Sequence, residues 1–97
     1  MFYVYILYSN SLDKFYVGET ENLEERLSQH SNGFFKNSFT AKSKDWILFL
    51  KIKTHSRIQS RQIERHIKQM KSSVYIRNLK KYPDIVKKLK LKYNLPQ

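Results

Sequence analysis

The sequence predicts an α+β fold: a small three-stranded antiparallel sheet flanked by helices, in the order β-β-α-β-α with helical additions at the C-terminus. Two observations support this prediction. Three short stretches are rich in aromatic and β-branched residues, which favour strands, and the segments between and after them have apolar residues at helical spacing. The chain has 97 residues, of which 40% are hydrophobic, so we expect one domain spanning 1–97.

The first half of the chain supplies a hairpin, a helix and a third strand. We expect strands over residues 2–8 and 15–18, joined by turn residues, and a third strand over 46–53. Asn22 and Glu25 have the spacing of a capping box, and the acidic residues around them suit the positive end of a helix dipole. A helix is therefore expected over 21–31, followed by a loop with exposed aromatic residues over 32–45.

The second half predicts three helices. Ser56 and Gln59 repeat the capping-box spacing, and a helix should run from there to about Lys71. Its apolar stripe is expected to consist of Ile58, Ile63, Ile67 and Met70. Shorter helices are expected over 74–79 and 83–91, the latter with Pro83 in its first turn.

Composition excludes several kinds of protein. Cysteine is absent, which rules out disulfides, thiolate metal sites and a cysteine nucleophile, and fits a reducing compartment. No apolar run approaches the roughly 18 residues that a membrane span needs. The N-terminal MFYVYILY lacks a basic region and a cleavage site, so it reads as a strand rather than a signal peptide. We expect a cytoplasmic protein with no membrane partner.

The distribution of charge indicates a nucleic-acid partner. The net charge is +11, and it is concentrated in residues 51–97, which hold 14 Lys/Arg against 2 Asp/Glu. Residues 1–50 hold 5 Lys/Arg against 6 Asp/Glu. A basic surface of this kind attracts phosphate backbones. Solubility and attraction to acidic lipid are the competing explanations.

Arg26 and His30 are four residues apart on the predicted first helix, so both should project from one face, close to the end of the second strand. A purely structural alternative is that Arg26 pairs with Asn22 or Glu25 while His30 is a helix C-terminal cation. Leu23 and Leu27 are expected to face the sheet.

Tyrosines recur on the first two strands. Tyr3 and Tyr5 share one face of their strand, as do Tyr16 and Gly18 of the next, because side chains alternate with a period of two. A core role explains any single tyrosine, but a phenol hydroxyl can also position water or accept a proton. Gly18 leaves a site without a side chain, where another group can approach closely.

Glu64 is the sole acidic residue between Asp45 and Asp84. An i,i+4 salt bridge to Lys68 would explain it. Alternatively, Glu64 is a ligand for Mg²⁺, which needs one or two carboxylates when waters and substrate phosphates supply the rest. The basic residues around it are predicted to bind nucleic acid: Arg57, Arg61, Arg65, Lys68 and Lys71.

These residues together resemble the GIY-YIG nuclease superfamily, and most closely its small single-domain branch. The first signature is YVY, residues 3–5, and the second is YVG, residues 16–18. Arg26, His30 and Glu64 follow at the positions that the family pattern gives them. The resemblance covers about residues 2–72, which leaves about 73–97 as a basic helical extension.

The resemblance implies a metal-dependent endonuclease that hydrolyses phosphodiester bonds in DNA, with a role in repair or recombination and a preference for DNA structure. Its cofactor would be Mg²⁺ or Mn²⁺, held by Glu64. Tyr5 would orient or deprotonate the attacking water, Tyr16 and His30 would support it, and Arg26 would stabilise the transition state. Tyr5 and His30 both remain candidates for the general base, and a catalytically inactive nucleic-acid-binding module with the same fold is the alternative.

The sequence departs from the family pattern at a few positions. Tyr3 replaces the family's leading glycine, and Glu19 directly follows Gly18, where it either adds a second carboxylate or repels phosphate. Asn78 and Asn94 are both candidates for a supporting asparagine. No separate DNA-binding domain is evident, so either the basic helices of the second half hold DNA or a protein partner supplies the target.

Overall fold

The computed structural model describes residues 1–31 and 42–94 and has the predicted α+β architecture. The strands are β1 (Phe2–Ser9), β2 (Lys14–Thr20) and β3 (Trp46–Thr54). The helices are α1 (Leu23–Ser31), α2 (Arg57–Met70), α3 (Ser73–Lys81) and α4 (Pro83–Lys92). Most of the predicted loop over 32–45 lies outside the described residues.

The sheet has the order β2-β1-β3, with both neighbours antiparallel to the central strand. In the β1–β2 hairpin Tyr5 lies opposite Gly18, and Ile6 lies opposite Val17. Asp13 closes the turn with a φ of 50°, a left-handed conformation that aspartate tolerates better than most residues. The three predicted strands are confirmed, and each is one to three residues longer than predicted. Strand β2 lies at one edge of the sheet.

The hydrophobic core lies between one face of the sheet and the last three helices. Side chains of alternating residues on β1, Val4 and Ile6, pack with Ile63 and Ile67 of α2. Val17 and Ile52 extend this core across the neighbouring strands, and Ile76, Leu79 and Leu89 close it from α3 and α4. Tyr5, between Val4 and Ile6, therefore points to the opposite face, where α1 lies.

Helix α2 has the predicted N-terminal cap. The Ser56 hydroxyl accepts a hydrogen bond from the backbone N–H of Gln59 at 3.1 Å. The predicted apolar stripe is only half right: Ile63 and Ile67 are buried, but Ile58 and Met70 are 46% and 45% exposed. Ile58 is five residues before Ile63 and so lies on a different face of the helix, and the first turn buries Gln59 and Ser60 instead. Met70 is the last residue of the helix.

The last helix, α4, is anchored to α2 by polar contacts as well as by the core. The Gln59 side-chain amide donates to the carbonyl of Lys90 at 3.1 Å, and His66 Nδ1 lies 3.0 Å from the Tyr93 hydroxyl. Pro83 occupies the first turn of α4, as predicted. Among the described residues, every helix is too short or too polar to cross a membrane.

Candidate active site

Tyr5 lies at the centre of the candidate site, on the middle strand of the sheet. Its side chain is fully buried, and its hydroxyl lies 3.0 Å from Nε2 of His30. Room for the ring comes from Gly18 on the paired strand: a Cβ at that position would lie 2.5 Å from the tyrosine hydroxyl and 2.6 Å from Cζ. Gly18 is therefore required for the close approach of Tyr5.

His30, at the end of α1, is only 6% exposed. Its ring centroid lies 5.8 Å from that of Tyr5 and 5.2 Å from that of Tyr16. Burial, and secondly the charge of Arg26, lower the pKa of His30 below its usual value. The imidazole is thus held in its neutral form near pH 7, so a simple role as an exposed C-terminal helix cation is wrong.

Tyr16 is half-buried on the edge strand, with its ring centroid 6.3 Å from that of Tyr5. Burial raises the pKa of both phenols, and Tyr16 adds to the effect on Tyr5. The second cause for Tyr16 is the charge of Glu64, which reaches it from α2. Both hydroxyls therefore keep their protons at neutral pH.

Arg26 precedes His30 by one helical turn and is half-buried. Its guanidinium opposes the effect of burial on Tyr5, lowering the pKa of that phenol both by its charge and by a side-chain hydrogen bond. It also acts on the pKa of Tyr16, in the same direction. A guanidinium aimed at these hydroxyls is suited to a planar, anionic group such as a phosphate.

Glu64 is half-buried on α2 and forms the predicted i,i+4 ion pair with Lys68, at 3.8 Å. Burial raises the pKa of Glu64, the charge of Lys68 opposes this, and the charge of Glu19 adds to it. After burial, the charge of Glu64 raises the pKa of Tyr16 and, as the smallest of several causes, that of Tyr5, although α2 packs against the face of the sheet opposite to Tyr5. It reaches them past the edge strand β2, against which α2 packs.

Glu19 is held in place by α2. Its carboxylate pairs with Arg61 at 3.7 Å and accepts a hydrogen bond from the Ser60 hydroxyl at 3.4 Å. Sequence reasoning identified Glu19 but missed Ser60, which lies four residues before Glu64 on the same helical face. The four-residue spacing between Ser60 and Glu64 was the available signal in the sequence. It points to Ser60 only when α2 is known to pack on β2.

The residues predicted to bind nucleic acid are exposed along α2, and several are in ion pairs. Arg57 pairs with Glu21 at 3.7 Å, in the same way that Arg61 pairs with Glu19. The Arg57–Glu21 pair is exposed, and exposed pairs contribute about 0–1 kcal/mol, so a phosphate can replace the Glu21 carboxylate at little cost. Arg65 and Lys71 are also exposed.

A family model for the GIY-YIG catalytic domain matches residues 1–82 of the 97. The chain therefore belongs to the GIY-YIG family, and its domain is of the nuclease type, acting on nucleic acid. No curated protein and no solved structure matches the chain.

Nucleases of this family generally depend on a divalent metal. Within residues 1–31 and 42–94 there is no cluster of three or more His, Cys, Asp or Glu side chains that could hold a metal ion. The acidic oxygens that the site does offer are those of Glu64, with Glu19 close enough to affect its pKa. This donor set fits Mg²⁺ or Mn²⁺, because such ions accept one or two carboxylates when waters and substrate phosphates complete the shell.

Proposed function

We propose that this protein is a metal-dependent endonuclease that hydrolyses phosphodiester bonds in DNA, prefers branched or otherwise altered DNA structures, and acts in repair or recombination. The observation that carries the proposal is the buried hydrogen bond between Tyr5 and His30. In the proposed mechanism the phenol is the donor and the imidazole, whose pKa is lowered by burial, is the acceptor; the charges of Arg26 and Glu64 both act on the pKa of Tyr5.

The pKa directions support one proton path. Burial makes the Tyr5 phenolate costly to form, whereas burial and Arg26 keep His30 neutral and able to accept a proton. In the proposed step, the Tyr5 hydroxyl takes a proton from the attacking water and passes its own proton to Nε2 of His30. The water becomes a nucleophile, and the base is the histidine, acting through the tyrosine.

The remaining residues act on the phosphate and its surroundings. Arg26 binds the non-bridging oxygens as charge develops on phosphorus, a bidentate contact that suits a guanidinium. Tyr16 packs against His30 and fixes the ring that receives the proton. Glu64, assisted by Glu19, would hold the divalent ion, whose chemistry would be to neutralise phosphate charge and stabilise the leaving oxygen.

Nicking of supercoiled plasmid and of branched oligonucleotides, with Mg²⁺ or Mn²⁺, tests this function. We expect cleavage that is lost in Glu64→Gln and retained in Glu24→Gln, which makes the same chemical change on an exposed turn of α1. Strong DNA binding without metal-dependent cleavage of any substrate would instead establish a catalytically inactive binding module. Equal cleavage by the two variants would exclude Glu64 as the metal ligand.

A further inference from the structure

Both carboxylates proposed to hold the metal ion are paired with cations of α2. Glu64 lies 3.8 Å from the Lys68 ammonium, and Glu19 lies 3.7 Å from the Arg61 guanidinium. Arg61 precedes Glu64 by three residues and Lys68 follows it by four, so both cations flank Glu64 on one face of the helix. These two acids and two bases form a cluster whose formal charges cancel.

The charges of the cluster act on one another across the two pairs. Burial has the largest effect on the pKa of Glu64 and raises it, and the charge of Lys68 opposes burial. The charge of Glu19 raises the same pKa, and that of Arg61 lowers it. Arg61 therefore acts on Glu64 as well as on its own partner. A metal ion bound to either carboxylate would be repelled by both basic side chains.

The two members of each pair differ in their exposure to solvent. The side chains of Arg61 and Lys68 are 64% and 52% exposed, whereas those of Glu19 and Glu64 are 18% and 22% exposed. An anion as large as a DNA phosphate that approaches α2 therefore meets the two cations before it meets the two carboxylates.

Neither cation is tightly bound to its carboxylate. The nitrogen–oxygen distances of 3.7 and 3.8 Å exceed the about 2.7–2.9 Å of a charge-assisted hydrogen bond, so the partners can separate at low cost. Phosphate is a suitable competitor, because the guanidinium of Arg61 binds it bidentately and the ammonium of Lys68 binds it as a point charge.

We propose that Arg61 and Lys68 are positioning residues that couple DNA binding to metal binding. In the DNA-free protein they neutralise Glu19 and Glu64, and DNA phosphates draw them away and leave both carboxylates available to the ion. The inference rests on the proposed metal site at Glu64. It gives the proposed reaction an order, in which nucleic acid binds before the metal. Because such coupling is reciprocal, the bound metal tightens DNA binding by the same factor.

Metal binding measured without cleavage tests this coupling. The full chain carries Tyr5→Phe, which removes the hydroxyl of the proposed proton path and keeps the DNA intact. Electron paramagnetic resonance of free Mn²⁺ gives the dissociation constant with and without saturating duplex DNA, after subtraction of the Mn²⁺ that DNA binds alone. DNA should tighten Mn²⁺ binding by at least about tenfold, within the usual range of coupling between two sites. Glu64→Gln should remove the site in both conditions.

Replacing the two cations should have opposite effects on affinity and on coupling. In Arg61→Gln/Lys68→Gln, Mn²⁺ should bind the DNA-free protein about tenfold more tightly, because two charges that repel the ion are gone and salt screens part of the gain. DNA should then tighten Mn²⁺ binding by about threefold or less, since no ion pair remains to be opened. Arg61→Lys/Lys68→Arg keeps both charges and should restore the weak DNA-free affinity.

Arg57→Gln/Lys71→Gln is the matched control. It removes two exposed charges from the same helix and its C-cap, each seven residues from Glu64. Two helical turns correspond to about 10 Å, a distance over which salt screens exposed charges. The control should weaken DNA binding, while the affinity for Mn²⁺ and its coupling to DNA stay close to those of the Tyr5→Phe chain.

The proposal is overturned if Arg61→Gln/Lys68→Gln binds Mn²⁺ no more tightly than the Tyr5→Phe chain without DNA, or if the control gains as much affinity. Undiminished coupling in Arg61→Gln/Lys68→Gln would also overturn it, because phosphates that contact the ion would then account for the coupling alone. The expected coupling without cleavage by the wild type would overturn the nuclease proposal and leave the roles of Arg61 and Lys68 standing. Cleavage by the wild type, with Mn²⁺ affinity unaltered in Arg61→Gln/Lys68→Gln, would do the reverse.

Discussion

Replacing Gly18 with alanine should destabilise the protein, although the same change in most strands is harmless or helpful. The added Cβ would lie 2.5 Å from the Tyr5 hydroxyl, 2.6 Å from Cζ and 2.9 Å from Cε1. Tyr5 cannot yield easily, because it is fully buried and its hydroxyl is bonded to His30. The ring must shift, and the hydrogen bond with it.

The magnitude follows from two opposing contributions. Overpacking a buried position typically costs about 1–3 kcal/mol. The backbone of Gly18 has a conformation that alanine also adopts, so the smaller unfolded-state entropy of alanine returns about 0.4–1 kcal/mol. The central values, about 2 and about 0.7 kcal/mol, leave an expected decrease of about 1.3 kcal/mol in the free energy of unfolding of Gly18→Ala, and cleavage should fall as well.

Urea denaturation of Gly18→Ala, alone and combined with Tyr5→Leu, measures this effect. Leucine lacks the hydroxyl and the two ring atoms that clash, so in the Tyr5→Leu background the glycine replacement should become neutral or slightly stabilising. The cycle isolates the clash because the Tyr5→Leu background lacks the atoms that the added Cβ would meet. Gly18→Ala with wild-type stability, or the same loss in both backgrounds, would refute the close packing of these two residues.

Three further results are expected. Cleavage should rise with pH around a midpoint below about 6.5, because the proposed base, His30, must be neutral and its pKa is lowered by burial and by Arg26. His30→Ala should remove this rising limb from the pH–rate profile. Arg26→Ala should reduce cleavage by about 10²–10³-fold. It should also move the midpoint of the pH–rate profile upward, because the charge that opposes protonation of His30 is gone. An unchanged midpoint would contradict the electrostatic account. Tyr93→Phe should cost about 1 kcal/mol in urea unfolding through the lost bond to His66, and a change within about 0.3 kcal/mol would show that this contact does not hold α4.

Acidification should also weaken the fold. The pKa values of His30 and His66 are both lowered, chiefly by burial, so the unfolded chain binds more protons than the folded one below the usual histidine pKa of about 6.5. Their contribution to stability is complete above that pH and is lost as the pH falls through the folded-state values. Urea midpoints that stay constant from pH 7.5 to 5 in wild type, or that fall equally in His30→Gln/His66→Gln, would contradict this.

Local chemistry made much of the fold predictable. The hairpin, the Ser56 cap and the first-turn position of Pro83 depend on residues close together in the chain, and each is found as expected. The ends of α2 were less predictable: the buried face continues from Ile63 and Ile67 to Gln59 and Ser60, polar residues at helical spacing that a search for apolar residues passes over.

The candidate site was also predictable only in part from the sequence. Tyr5, Tyr16, Arg26, His30 and Glu64 were identified from motif spacing, and their catalytic roles remain predictions. The burial of His30 and its bond to Tyr5, 25 residues away, come from the packing of α1 on the sheet and had no signal in the sequence.

The claim on which the account depends is that these side chains surround one metal-assisted phosphate site. Anomalous diffraction from a Mn²⁺-soaked crystal of Tyr5→Phe with bound DNA tests it directly. The account predicts a manganese peak at about 2.0–2.2 Å from a Glu64 oxygen and a DNA phosphate, with Arg26 and His30 facing that phosphate. A manganese peak away from Glu64, or DNA bound on a surface remote from Arg26, would contradict it.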